Sequence, residues 1–268
     1  MRQAHHGLSG VSLSDARTAR IREAFGKALA YDAHATPQAA TAKRLAELIL
    51  ARGLGHDARV LDMGCGTGGL AMHLLASGKP GFYLCADISP AMLGRARTKL
   101  DGLSTAAHLA CMDAAAPALS PGFHLVASNM ALHWVADTAA VLNRLWELVL
   151  PGGMLAVAVP GEKTFASWRQ AHQRLGLPCG LQDFLSATNL ERLFPGAPTV
   201  TEQTIELHLA RALDLPRHLK AVGGYVARSG HAPLTPGQFR AVLAALEAAG
   251  SNTGYHVLYA LALKPSEE

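Results

Sequence analysis

Three observations predict an α/β fold built on a parallel sheet. Short apolar runs of strand length alternate with segments of helical periodicity from residue 59 to residue 159. The first run ends in a glycine-rich turn, Gly64-Cys-Gly-Thr-Gly68, that leads into a helical segment. Half of the 268 residues are hydrophobic, ample for one large packed core.

Two helical segments come first. Residues 14–30 open on Ser14 as a cap and place Ile21, Phe25 and Leu29 at helical spacing. Residues 37–52 repeat Leu45, Leu48 and Ile49 and stop before Gly53. Strands are then expected at 59–63, 81–87, 106–112, 123–129 and 153–159. Helices are expected between them at 70–77, 90–100 and 138–149, the second opening on Pro90, a favoured first-turn residue. Past Pro160 the alternation weakens. Residues 164–175, 183–194, 213–222 and 235–249 read as helices, and 199–209 and 255–263 as strands. The whole chain, 1–268, reads as one domain. Residues 14–53 form an N-terminal helical cap, and residues 210–250 form a helical insertion, or lid, before the last strand.

Composition narrows the function classes. Charged residues make up 16 % and the net charge is +4. With no long basic run, this argues against nucleic acid as a partner, while favouring an acidic partner or an anionic substrate. No stretch approaches 18 uninterrupted apolar residues, so no membrane partner is expected. The first ten residues lack the apolar segment of a signal peptide, so the expected location is the cytoplasm. Cys65, Cys85, Cys111 and Cys179 form no CxxC pair and no zinc spacing, so no metal is expected.

The chemistry concentrates in Val60-Leu-Asp-Met-Gly-Cys-Gly-Thr-Gly68. Gly64, Gly66 and Gly68 allow a sharp strand-to-helix turn and close approach of a ligand to the backbone. Asp62, two positions before the first glycine, is out of place beneath a pyrophosphate. It suits a ligand carrying an ammonium and a sulfonium, which favours S-adenosylmethionine (SAM) over a nicotinamide dinucleotide. Asp87 ends the second strand, where a carboxylate can accept both ribose hydroxyls. Asp113 ends the third and could take an adenine amino group, with Met112 packed on the ring. Alternatively, Asp87 and Asp113 cap the turns that follow them.

The run Val60 to Gly68, with Asp87-Ile-Ser-Pro-Ala-Met-Leu93, resembles class I SAM-dependent methyltransferases over roughly residues 40–160. The resemblance implies a Rossmann-like seven-stranded sheet, mostly parallel, whose last strand is antiparallel. It implies that Gly64 and Gly66 pass under the methionine moiety, that Asp87 binds ribose and that Asp113 meets adenine. Cys65, Ile88 and Asn129 complete the implied cofactor-binding set.

A narrower resemblance spans nearly the whole chain. Ala24-Phe-Gly-Lys27 with Tyr31, Ser128-Asn-Met-Ala-Leu-His-Trp134, Leu219-Lys-Ala-Val-Gly223 and Tyr255-His256 are similar to the malonyl-acyl-carrier-protein O-methyltransferases of biotin synthesis. His124 departs from that pattern, standing where many relatives carry an acid. The resemblance implies methyl transfer from SAM to the free carboxylate of malonyl-ACP, leaving S-adenosylhomocysteine. No general base is required, because a carboxylate is already ionised at neutral pH. Candidates for gripping the malonyl group are His133, Trp134, Lys220, Tyr255 and His256, with Tyr31 closing the cofactor pocket. Trp134, His133 and His256 could equally be core residues, and Lys220 a solvated one. Arg17, Arg20, Arg22 and Lys27 on the first helix, with Arg211, Arg217, Lys220 and Arg228, are candidates for a basic rim that meets the acidic carrier. Two other readings stay open. One is a methyltransferase acting on another small carboxylic acid. The other is a methyltransferase-fold assembly factor or protein hydroxylase, a class that shares the Leu132-His-Trp-Val135 run.

Overall fold

The computed structural model describes residues 13–103, 107–250 and 252–266. Seven strands form one sheet: β1 (Ala58–Met63), β2 (Pro80–Asp87), β3 (Ala107–Cys111), β4 (Phe123–Asn129), β5 (Val149–Pro160), β6 (Thr199–Leu207) and β7 (Thr253–Leu263). Their spatial order is β3-β2-β1-β4-β5-β7-β6. The pairs among β1 to β5 are parallel, and β7 runs antiparallel to both of its neighbours. The expected mostly parallel sheet with one antiparallel strand is the sheet observed.

Alternation within the strands feeds two cores. Val60 packs into one buried cluster with Leu45, Ile49 and Leu74, while its neighbour Leu61 packs into the opposite one with Leu142 and Leu145. On the first face lie α3 (Thr36–Ala51) and α4 (Gly69–Ala76), and on the second α6 (Thr138–Glu147). Strand order reverses between β1 and β4, which pair in parallel as Asp62 to Ala127. That switch point opens a crevice beyond the strand ends, the usual ligand position in such sheets.

The N-terminal region differs from the expected single helix over 14–30. Helix α1 (Leu13–Lys27) stops, and a separate turn, α2 (Tyr31–His34), follows. Leu29, expected on the apolar face, is 86 % exposed. The cause is Arg95 of α5 (Pro90–Leu100). Its guanidinium donates to the carbonyls of Gly26 and Ala28, both at 2.8 Å, and so satisfies the end of α1. Ser14, expected as the cap, stands within α1, which is already helical at Leu13, and the first residue of the third expected strand, Ala106, lies outside the described residues. Strand β5 starts at Val149 rather than Gly153, with an irregular register beside Phe123 that the positive φ of Gly152 (76°) accommodates.

Beyond β5 come α7 (Ala166–Arg174) and α8 (Ala187–Leu193). Helix α8 is shorter than the expected 183–194 because Ser186 caps it, accepting from the Asn189 N–H at 3.1 Å. Helices α9 (Asp214–Ala221) and α10 (Pro236–Ala248) lie between β6 and β7, with α10 packed on α7 and α9 on α2. No helix among the described residues is long and apolar enough to cross a membrane.

Candidate functional site

Two cavities meet above the switch point. The larger, about 610 Å³, lies over the glycine loop. The smaller, about 330 Å³, sits beneath α7, α9 and the segment 224–231. Phe25, Tyr31, Gln38, Met130 and Trp134 line both.

The loop has this shape because three of its glycines adopt positive φ: Gly64 at 74°, Gly66 at 56° and Gly68 at 82°. A Cβ on Gly64 would lie 2.3 Å from the Ala131 Cβ. One on Gly66 would meet nothing within 4 Å, since this residue faces the cavity. Gly68 stands behind the loop instead. It precedes α4 and packs on Leu100, outside the cavity lining.

Asp62 is fully buried at the end of β1. Its Oδ2 accepts one hydrogen bond, from the Tyr83 hydroxyl at 3.2 Å, and its Oδ1 has no partner. Burial, partly offset by the Tyr83 hydroxyl, pushes the carboxyl up to about 7. Asn129 Oδ1 and Gln38 Oε1 are also buried oxygens without partners. All three residues line the larger cavity. Bare acceptors so arranged fit a ligand rich in N–H donors, and an ammonium best of all.

Asp87 ends β2. Its Oδ2 accepts the Gly66 N–H at 2.9 Å and its Oδ1 the Ser89 N–H at 2.8 Å. Burial nevertheless raises its carboxyl above the ordinary value. Each oxygen keeps a lone pair for a hydroxyl donor. Asp113 Oδ1 accepts the Ala115 N–H at 2.8 Å, so this residue holds its own turn as well as lining the cavity. Ile88 and Met112 line the cavity beside it. Cys65 lines it too, its thiol pushed up by a hydrogen bond with Cys85 and by burial.

Tyr31, His133, Trp134 and Tyr255 all line the smaller chamber. Burial, with the Arg17 charge adding to it, lowers the His133 imidazole to about 3, and its Nδ1 has no partner. Tyr255 shares its hydroxyl with His218 Nε2 at 3.0 Å and Gln38 Nε2 at 3.5 Å. Two expected substrate residues are not brought to either cavity. His256 follows Tyr255 on β7 and so points to the opposite face, where its Nε2 pairs with Glu202 Oε2 at 2.6 Å. Lys220 is exposed on α9.

The expected basic rim is partly paired within the chain. Arg211 and Arg217 both meet Asp214, Arg228 meets Asp183 and Lys27 meets Glu23. Arg17 donates to the Trp134 carbonyl at 2.6 Å and to Gln182 at 2.8 Å. Arg20 and Arg22 are exposed.

Several site residues carry no readable signal in the sequence. Gln38 is one polar residue in an alanine-rich helix. Met130 takes a left-handed φ of 54° that side chains rarely adopt, at the boundary of the two cavities. Asp32 fastens α2 to the loop, accepting from Lys99 Nζ at 2.6 Å and Thr67 Oγ1 at 2.7 Å. These contacts join residues 35 and 67 positions apart in sequence.

The fold and the loop define a methyltransferase, and residues 61–155 match the family model described as a methyltransferase domain. A malonyl-[acyl-carrier protein] O-methyltransferase of Magnetococcus marinus is 34 % identical over 247 residues, covering 91 % of this chain and 92 % of that one. On that likeness the chain belongs to the malonyl-[acyl-carrier protein] O-methyltransferase family. The biotin biosynthesis bifunctional protein BioCD of Bordetella avium is 35 % identical over 237 residues, 88 % of this chain and 50 % of that longer one. A phosphoethanolamine N-methyltransferase 2 structure from Haemonchus contortus, in complex with S-adenosyl-L-methionine, shares the fold. Its TM-score is 0.60 at 16 % identity, covering 96 % of this chain and 61 % of that one.

The contact at Gly64 yields a direct test. Gly64→Ala is expected to destabilise the protein by about 2–4 kcal/mol in a urea melt, through the Ala131 clash and the strained φ. Ala131→Gly in the same chain should recover the clash part only.

Proposed function

We propose that this chain transfers a methyl group from SAM to the free carboxylate of a malonyl group carried on acyl carrier protein, an early step in biotin synthesis. The observation that carries the proposal is the smaller chamber. It adjoins the loop cavity, yet no Lys, Arg, Asp or Glu is among its described lining residues. The carboxylate would therefore meet only neutral donors such as the Tyr31 hydroxyl. An ion pair to Lys or Arg would blunt the nucleophile, and the chamber provides none. Membership of the carboxyl-methylating family supports the same reading.

The residues around the larger cavity fit SAM. Asp62, Asn129 and Gln38 would hold its ammonium through their bare oxygens. Asp87 would accept the ribose hydroxyls, and Asp113 the adenine amino group with Met112 against the ring. When bound, SAM supplies an electrophilic methyl on a positively charged sulfur. The protein has no proton to remove, since the malonyl carboxylate is ionised at neutral pH. Its work is placement: Tyr31, Trp134 and Met130 at the boundary would align oxygen and methyl, which can supply on the order of 7–11 kcal/mol. The turn bearing Tyr31, fastened by Asp32, excludes water from that boundary, and α9 packs over it as a lid. The ester product loses its charge, so that chain-elongating enzymes can treat it as an ordinary acyl end. An acidic carrier would meet the exposed Arg20 and Arg22.

Transfer of labelled methyl from SAM tests this reading, with malonyl-ACP, malonyl-CoA and free malonate as acceptors. Label on malonyl-ACP with little on free malonate is the expected result. Label on none of them, with SAM binding demonstrated, would overturn it and turn attention to other acids.

Asp62 gives a second test. Its carboxyl is raised in the folded chain, so stability is lost as pH rises from about 4, where the unfolded chain ionises, to about 7, and the full cost is present above that. Asp62→Asn should therefore make the ligand-free protein more stable at pH 8, by roughly 1–4 kcal/mol, with the gain fading towards pH 4. The same variant should bind SAM at least about tenfold more weakly by calorimetry, having lost a charge-assisted bond. A variant less stable at pH 8 with unaltered SAM affinity would refute the assignment.

A further inference from the structure

The smaller chamber extends beyond the residues it shares with the loop cavity, into a part lined by His172 and His231 that the reaction described above leaves unused. His172, on α7, is only 2 % exposed. Its Nδ1 lies 2.9 Å from the Pro178 carbonyl oxygen. A carbonyl can only accept, so Nδ1 carries the hydrogen. Burial, with the neighbouring His231 adding to it, holds the ring pKa below its ordinary value, which favours the neutral ring. Nε2 is then a bare acceptor, buried and without a partner. His231 Nδ1 is likewise buried without a partner. Its ring is pressed so closely on Gly180 that a Cβ there would lie 3.0 Å away. The backbone bonds Arg228 N–H to Gly180 O, 3.0 Å, and His231 N–H to Arg228 O, 3.3 Å, hold that segment down.

The surroundings specify the ligand. Trp168 and Phe239 form an aromatic wall, their rings 6.4 Å apart, with Trp168 5.0 Å from His172. Among the described residues no Lys, Arg, Asp or Glu lines the chamber. Such a site takes an uncharged chain of methylenes that carries N–H donors. Tyr225, 49 % exposed, lines the same chamber, which therefore reaches the surface there.

We propose that this part of the chamber is a subsite for the amide-bearing arm of a pantetheine thioester, with an amide N–H donating to His172 Nε2. The proposal rests on the malonyl-thioester reading and specifies how the thioester's handle is held. Residues 224–231 then form the entrance, and the malonyl end lies at the boundary with the loop cavity. His172 sets specificity for the handle and takes no part in the methyl transfer.

The test compares acceptors with and without amides: malonyl-ACP, malonyl-pantetheine and the malonyl S-ethyl thioester. The wild-type enzyme should show a KM for malonyl-pantetheine at least about tenfold below that for the S-ethyl thioester. His172→Phe should raise the first KM about tenfold, leave kcat nearly unchanged and leave the S-ethyl thioester and SAM affinity unaffected. His172→Gln, which retains an acceptor, should recover part of the loss. If His172→Phe does not fold, the wild-type comparison and His231→Leu, expected to act in the same direction, decide the matter. Equal KM values for the two small thioesters, or equal losses on both in His172→Phe, would overturn the subsite alone. Failure of the wild-type enzyme to methylate any thioester would overturn it together with the reading on which it rests.

Discussion

A carboxylate that ends a central strand in the interior is costly unless something offsets its charge. Asp62 is such a group, held by one phenol hydroxyl and otherwise bare. Everything else at the site is arranged around that position. The strand order reverses beside β1, so the crevice opens where Asp62 ends the strand. The glycines that follow let the chain turn away without covering the carboxylate. Asn129, on β4 across the switch, adds a second bare oxygen, and Gln38 from α3 a third. The folded chain accepts local instability here, and a cationic ligand would offset it.

A second constraint is the separation of two environments. The loop cavity contains carboxylates, whereas the adjoining chamber has histidines, tyrosines and glutamines but no formal charge. A cation bound in the first would face an anion in the second across the residues the two share. Attraction of opposite charges in a water-poor site would draw the reactants together without pairing the nucleophile to the protein. The five shared residues form the boundary, and three of them, Phe25, Tyr31 and Gln38, come from the N-terminal helices. Arg95 ends α1, and Asp32 with Lys99 fastens α2 to the loop. The position of Tyr31 thus depends on residues of α5 and on a turn only four residues long.

The sheet and the loop are legible in the sequence because their signals are local. Val60 and Leu61 alternate between two cores, and the Gly-x-Gly-x-Gly spacing with Asp62 before it admits few ligand chemistries. The break between α1 and α2 is not legible, because Leu29 continues the apolar spacing and only Arg95, far along the chain, ends the helix. The histidine-lined chamber is equally hidden: His172, Gly180 and His231 come from three separate segments. Adjacent residues also mislead. Tyr255-His256 reads as one motif, yet the two-residue period of β7 sends Tyr255 into the chamber and His256 to Glu202 on the other face. Lys220 fails for a similar reason, as one helical position decides between chamber and solvent.

The central claim is that Asp62 is a buried carboxyl completed by a cationic ligand. The most direct measurement is an NMR titration of its carboxyl carbon, without ligand and with saturating SAM. Without ligand the midpoint should fall near pH 7, and with SAM it should move well down, because the ammonium favours the ionised form. An ordinary carboxyl midpoint in the free protein, or a midpoint that SAM leaves unmoved, would contradict the account.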